Sequence, residues 1–206
     1  SNDNTFQYLT DETWQDTLCM LYDYKKNTTE FERELDGDID FQHSFTGKDK
    51  LEAGFQLRIE LNDMDYGYFN HDSASGSWIE DLTQSNRYKF YNNVYALYGT
   101  YATEFKKLGL KAGLRAEYTD RNLHQVTDQA DYPYQKFDLY PSFYLTYYLP
   151  YNQQVQLSYS KRVNRPHGDM LNPYVYFSDA FNSFSGNPDL QPEFSHALEF
   201  NYQKYF

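Results

Sequence analysis

Charged side chains recur at every second position in several stretches of this chain, and they are the first candidates for chemistry. Arg58 and Glu60 fall in one such stretch, Arg115 and Glu117 in a second, and Arg162 in a third. Glu32, Glu34, Asp36, Asp38 and Asp40 form an acidic row of the same period, and carboxylate oxygens suit a hard cation such as Ca²⁺. The row lacks the loop spacing of a calcium hand, and neighbouring carboxylates on one strand face stand ~7 Å apart. A hydrated acidic wall offset by Lys and Arg of adjacent strands is the plainer reading. The histidines His43, His71, His124, His167 and His196 show neither H-x-x-H nor H-x-H spacing, and none pairs with Cys19, so no metal centre is expected. No G-x-S-x-G, phosphate-cradling glycine loop or G-x-G-x-x-G is present, so neither an enzyme nor a bound cofactor is expected. A last candidate is aromatic. Tyr174, Tyr176, Phe177, Phe181 and Phe184 precede a loop stiffened by Gly186, Pro188 and Pro192. Such rings can stack on a ligand, or form an interfacial girdle or a packed hairpin.

The elements that position these residues follow from the period. Leu51, Ala53, Phe55, Leu57, Ile59 and Leu61 alternate with Glu52, Gly54, Gln56, Arg58, Glu60 and Asn62. A helix would scatter both sets, whereas a strand puts one on each face. Leu108 to Tyr118 and Phe137 to Leu149 behave alike. The alternation predicts seven strands, near 30–45, 50–69, 87–106, 108–122, 136–150, 153–165 and 192–206. Residues 1–27 carry no clear period and read as mostly loop, leaving 28–206 as one barrel segment. Short links (46–49, 106–109, 151–154) alternate with long ones (70–86, 123–135, 166–191). In an antiparallel meander this puts every short turn at one end. The expected class is therefore all-β: an antiparallel up-and-down meander of about seven to eight long strands, part of a transmembrane β-barrel. His71 and His124 would lie in long loops and could touch a substrate.

Composition limits the partners. Of the 206 residues, 20% are aromatic, which suits girdled strands. The net charge of −12 argues against a nucleic-acid partner. Mean hydropathy is −0.87 and no apolar run is long enough for a membrane helix, but a barrel strand is apolar on one face only. Ser1-Asn2 resembles a cloning scar or an internal start.

Three stretches resemble a known family: Ala112-Gly-Leu-Arg-Ala-Glu-Tyr-Thr-Asp-Arg121, Leu157-Ser-Tyr-Ser-Lys-Arg-Val-Asn-Arg-Pro166, and Leu171-Asn-Pro173 through Ser185-Gly-Asn-Pro-Asp-Leu-Gln-Pro-Glu193. They look like the barrel of TonB-dependent outer-membrane receptors of the outer membrane protein β-barrel family, SusC-like transporters among them. The weaker likeness of Phe41–Asn70 extends coverage to most of residues 30–206. The resemblance implies an outer-membrane location and a nutrient receptor. It also implies a barrel of about 22 strands with a plug domain and TonB as partners. It places Arg58, Glu60, Arg115, Glu117 and Arg162 along the lumen and outer-membrane lipid against the apolar faces. At this spacing 206 residues supply about a third of such a barrel, so the chain reads as a piece of a longer one. The transported solute, a small molecule or a glycan, is not named by any residue. A complete small outer-membrane barrel with a structural or adhesion role is an alternative; Phe206 would then be a terminal aromatic rather than a truncated strand end. A soluble lipocalin-like carrier, apolar inside, is another. In water an excised sheet would have to hide its apolar face, by curling with the polar face outside or by self-association.

Overall fold

Period-two alternation becomes long antiparallel strands in the computed structural model, which describes residues 2–6, 24–45, 47–177 and 182–205. In chain order the elements are β1 (Asn2–Phe6), β2 (Tyr24–Ser44), β3 (Lys50–Asp72), β4 (Ser77–Glu80), β5 (Asn86–Phe105) and β6 (Leu108–Gln125). Then come β7 (Ala130–Leu149), β8 (Gln153–Asn164), the single helical turn α1 (Gly168–Leu171), β9 (Tyr176–Phe177), β10 (Ser183–Phe184) and β11 (Glu193–Lys204). The sheet order is β1-β2-β3-β5-β6-β7-β8-β11, with β4 folded back on β3, and every pairing is antiparallel. It is the expected meander, curled into a half-barrel. Of the segment 1–27, Asn2–Phe6 pairs with Lys25–Thr28 and Tyr24 of β2, and Tyr24–Asn27 opens β2 itself; residues 7–23, with Cys19, lie outside the described residues.

The two faces differ as the alternation requires. Along β6, Leu108, Leu110, Ala112, Leu114, Ala116 and Tyr118 point outward, in register with Tyr101, Leu97 and Tyr95 of β5 and with Phe143, Leu139 and Phe137 of β7. These outward side chains are bare: Leu97 is 64% exposed, Phe137 62% and Phe200 70%. Leu108 to Tyr118 spans ~33 Å along the strand, and a tilt of about 40° brings that to ~25 Å, the height of a barrel's apolar band. Above it the outer face turns polar, with Asp63, Lys89, Asp120 and His124. The apolar face is therefore neither inside, as a lipocalin-like carrier would have it, nor hidden by curling. The polar face is the inner one.

A small apolar core sits inside the curve rather than between layers. Tyr88, Phe90, Leu123 and Leu171 are at most 3% exposed, with Met64 and Tyr132 packed beside them. Leu171 comes from the 165–192 connection, whose described parts, 165–177 and 182–192, fold into the lumen as a strap instead of standing off in solvent. Two glycines allow this. A Cβ on Gly168 would lie 3.1 Å from the Phe90 ring, and one on Gly186 would lie 2.5 Å from the Met170 carbonyl oxygen.

The 123–135 link differs from its expectation. β6 runs to Gln125 and β7 begins at Ala130, so a turn of residues 126–129 joins them, with Gln129 at φ 53°. Leu123, Gln125, Tyr132 and Tyr134 keep the inward alternation. The segment reads as polar because its outward side chains beyond the apolar band are Asn122, His124, Asp131, Pro133 and Gln135, not because it is a loop. His71 and His124 accordingly stand in β3 and β6 rather than in loops. His124 Nδ1 lies 2.9 Å from Asp131 Oδ1, and the His71 ring meets Trp78 edge-on at 5.1 Å.

Candidate functional site

The inner wall carries a ladder of ion pairs built by register alone. Asp36, Arg58, Val94 and Thr119 are successive cross-strand partners, as are Asp38, Gln56, Ala96, Glu117 and Asp138. Ala96 is small enough for the Arg115 guanidinium to pass over it and donate to Gln56 Oε1 at 2.7 Å. Gly54 plays the same part lower down, where the Tyr98 hydroxyl crosses it to donate to the Asp40 carboxylate. Arg58 Nε donates to Asp36 Oδ1 at 2.9 Å, and Asn92 Nδ2 donates to Glu60 Oε2 at 3.0 Å. Of the acidic row of β2, Glu34 and Asp36 pair with Arg58 and Asp40 accepts from Tyr98, while Glu32 and Asp38 form no ion pair among the described residues. No group of metal-ligating side chains occurs among the described residues.

Glu117 is the centre of the ladder. It is 6% exposed and accepts from Arg115 Nε on one oxygen and Arg165 Nη2 on the other. Arg165 also reaches Thr119 Oγ1 at 3.5 Å and the Tyr140 hydroxyl at 3.4 Å. Arg58, Glu60, Arg115 and Glu117 come together around one lumen cavity of about 470 Å³, with Val163 and Arg165 from the other side. Arg162 does not join them. β7 and β8 pair only from Ser142–Ser160 to Leu149–Gln153. Past Ser160, β8 leaves β7 and turns its odd residues inward: the Lys161 ammonium lies 5.4 Å over the Tyr140 ring. Arg162, of the opposite parity, is exposed and makes no ion pair among the described residues. Arg165, not singled out in the sequence, takes the lumen position. Its signal was the Arg-x-x-Arg-Pro pattern, which offered two arginines and no means of choosing between them.

Further out, the strap is pinned to the wall. Gln125 Nε2 donates to Asn172 Oδ1 at 2.9 Å, and Arg121 Nη2 reaches the Leu190 carbonyl at 3.4 Å while its guanidinium lies 4.5 Å over the Tyr134 ring. Within the strap, Gly186 N donates to Asn172 O and Asn187 N to Met170 O, both at 2.8 Å. The Gly-Asn-Pro motif is therefore a backbone clasp: Gly186 has no Cβ to strike α1, and Asn187 Oδ1 accepts from Asp189 N to turn the chain.

The aromatic candidates meet a second cavity of about 270 Å³ at the outer end. Tyr174, Tyr176 and Phe184 line it together with Met64, Tyr66 and Tyr88 of the wall. The Tyr66 and Tyr176 rings meet edge to face at 5.1 Å, and the Tyr174 hydroxyl donates to the Thr83 carbonyl at 3.2 Å. Burial pushes the Tyr174 hydroxyl above its ordinary pKa. Phe177 contributes backbone pairing to Ser183, and Phe181 lies outside the described residues. Tyr66 and Tyr88 were missed, although they continue the inward parity of their strands. Two of the cavities along the inner wall thus stand one above the other, separated by Phe90 and its apolar neighbours, the outer one aromatic and the inner one charged. A further cavity of about 600 Å³ opens towards the short-turn end, among Lys50, Lys111, Tyr144 and Tyr148.

Comparison with known proteins agrees with this geometry. A search of curated proteins finds no significant match. The family model described as outer membrane protein beta-barrel family matches residues 1–206. An outward apolar band, an inward polar wall and this match together place the chain in the outer membrane, as a member of the outer membrane protein β-barrel family.

Proposed function

We propose that this chain is barrel wall from a TonB-dependent outer-membrane receptor that takes up a nutrient, with outer-membrane lipid against its outward band. The observation that carries the reading is the stacked pair of lumen cavities beneath a clasped strap. A purely structural wall has no need of a strap drawn into the lumen and fixed there by Arg165, Gln125 and Arg121. In this reading a solute is captured among Tyr66, Tyr174 and Tyr176. It then passes the ladder of Arg58, Glu60, Arg115 and Glu117 when a plug domain, moved by TonB, opens the way. The polar wall offers a moving solute successive hydrogen-bonding groups. The chain's own residues bind and guide; no bond-making chemistry is assigned to them.

The test is uptake by whole cells. Deleting the gene should abolish growth on one class of nutrient at limiting concentration, and loss of TonB or collapse of the proton-motive force should do the same. Uptake that continues without energy would overturn the receptor reading.

One observation favours a second reading, an outer-membrane barrel with an adhesion role. Trp78, Ile79 and Leu82 stand 41%, 55% and 72% exposed around the outer β3–β4 hairpin, a small apolar patch open to a partner. Loss of surface attachment in a Trp78→Ser, Ile79→Ser variant with intact uptake would support it.

A further inference from the structure

The outer cavity has the chemistry of a cation cage. Its walls are aromatic side chains: Tyr66 and Tyr88 from the barrel, Tyr174, Tyr176 and Phe184 from the strap. Its charge is a carboxylate: Asp169 lines the cavity and forms no ion pair among the described residues. Glu30 lies close by, holding Asn62 Nδ2 at 2.8 Å, and its field reaches the Tyr88 hydroxyl together with that of Asp169. Ring faces carry negative quadrupole density and attract cations, the more so where water is excluded. The protein already uses this attraction at the rim, where the Lys26 ammonium lies 5.3 Å from the Tyr24 ring and 5.6 Å from the Tyr176 ring.

Other ligand classes fit less well. A sugar needs many donors and acceptors, but this lining is mostly apolar, and the oxygens of its two amide side chains are taken. Asn172 Oδ1 accepts from Gln125 Nε2 and Tyr174 N, and Asn86 Oδ1 accepts from the Thr127 hydroxyl. An anionic chelate would meet Asp169 and Glu30 head on. A cavity of about 270 Å³ also falls below the ~300 Å³ at which pockets for drug-sized ligands begin, so the occupant is compact.

We infer that the cavity between β3, β5 and the strap binds a compact organic cation, an alkylated or quaternary ammonium group, with Tyr66, Tyr88 and Tyr176 as the cage and Asp169 as the counter-charge. This rests on the reading of the outer loops as a capture surface and names the class of solute they take.

The probe is choline, compared with its neutral isostere 3,3-dimethylbutan-1-ol, titrated into the full-length protein in detergent and followed by saturation-transfer NMR on the methyl signals. Choline should saturate and bind at least about tenfold more tightly than the isostere, the margin expected of a partly desolvated cation–π site. Asp169→Asn removes charge from an exposed side chain and should weaken choline about fivefold, leaving the isostere unchanged. Tyr176→Leu, at a side chain 40% exposed, should weaken choline by a similar factor. Equal binding of the two probes, absence of saturation by 10 mM, or choline binding indifferent to both substitutions would overturn the inference. Binding is read without energisation, so choline bound by a protein whose uptake ignores TonB would sink the receptor reading alone. Energised uptake of another solute without choline binding would sink the cage alone.

Discussion

Replacing Glu117 by Ala is the sharpest perturbation of the strap. Glu117 is 6% exposed, while Arg115 and Arg165 are 31% and 25% exposed at their side chains. Breaking a fully buried ion pair by removing one partner costs about 3–5 kcal/mol. Both guanidiniums here keep partial access to water, and Arg115 retains Gln56, so about 2 kcal/mol is the reasonable figure. That cost falls on the closed strap, because an opened strap frees Arg165 to hydrate. Two kcal/mol is a factor of about 30 in the opening equilibrium. The assay is hydrogen exchange of the Gln125 side-chain amide, which is fully buried on the wall and donates to Asn172 of the strap only when the strap is closed. Exchange there should accelerate about 30-fold in Glu117→Ala, with the backbone amides of β5 and β6 unmoved. Glu60→Ala, which removes the acceptor of Asn92 but touches no strap residue, should leave the Gln125 side-chain exchange within about twofold of wild type. Unchanged exchange of the Gln125 side-chain amide in a properly folded Glu117→Ala protein would refute this role of Glu117 in holding the strap.

Gly186→Ala should open the clasp, because its Cβ would lie 2.5 Å from a backbone oxygen that cannot swing away; faster backbone amide exchange at Asn187, which donates to Met170 O, reads it. Leu114→Arg, in the middle of the outward band, should cost about 2–4 kcal/mol in equilibrium folding into lipid vesicles, whereas Lys111→Ala on the inner face should cost far less. Asp81, in the turn after β4, accepts from Thr83 Oγ1 at 2.6 Å, Thr83 N at 3.0 Å and Gln84 Nε2 at 3.0 Å, which holds its carboxyl below the ordinary 3.8. Its folded pKa is lowered, so its contribution is present above pH 3.8 and is lost as pH falls below that value. The Thr83 amide resonance should therefore titrate with a midpoint under 3.8, and Asp81→Asn should abolish the titration.

How much of this was legible in the sequence depended on whether one face stayed apolar. From Leu51 to Leu61 and from Leu108 to Tyr118 the outward set is apolar without interruption, and those strands stand where the period put them. Past Tyr118 and before Phe137 the outward set becomes Asp120, Asn122, His124, Asp131, Pro133 and Gln135. The contrast between faces that marks a strand vanishes there, although the backbone continues to pair up to Gln125 and Ala130. The four ladder residues Arg58, Glu60, Arg115 and Glu117 converge because they share parity on strands in known order. Arg162 shared that parity too, but β8 departs from β7 beyond Ser160, and no local pattern announces that departure. The strap is the least legible part. Gly168 and Gly186 look like ordinary loop glycines until Phe90 and Met170 are seen against them.

Residue-by-residue access to lipid along β6 tests the central claim most directly. Single cysteines from Leu110 to Tyr118, each carrying a fluorophore, would be quenched in vesicles of brominated lipid. Quenching should be strong at positions 110, 112, 114, 116 and 118 and weak at 111, 113, 115 and 117. Uniform quenching at every position, or quenching strongest at 111, 115 and 117, would contradict it.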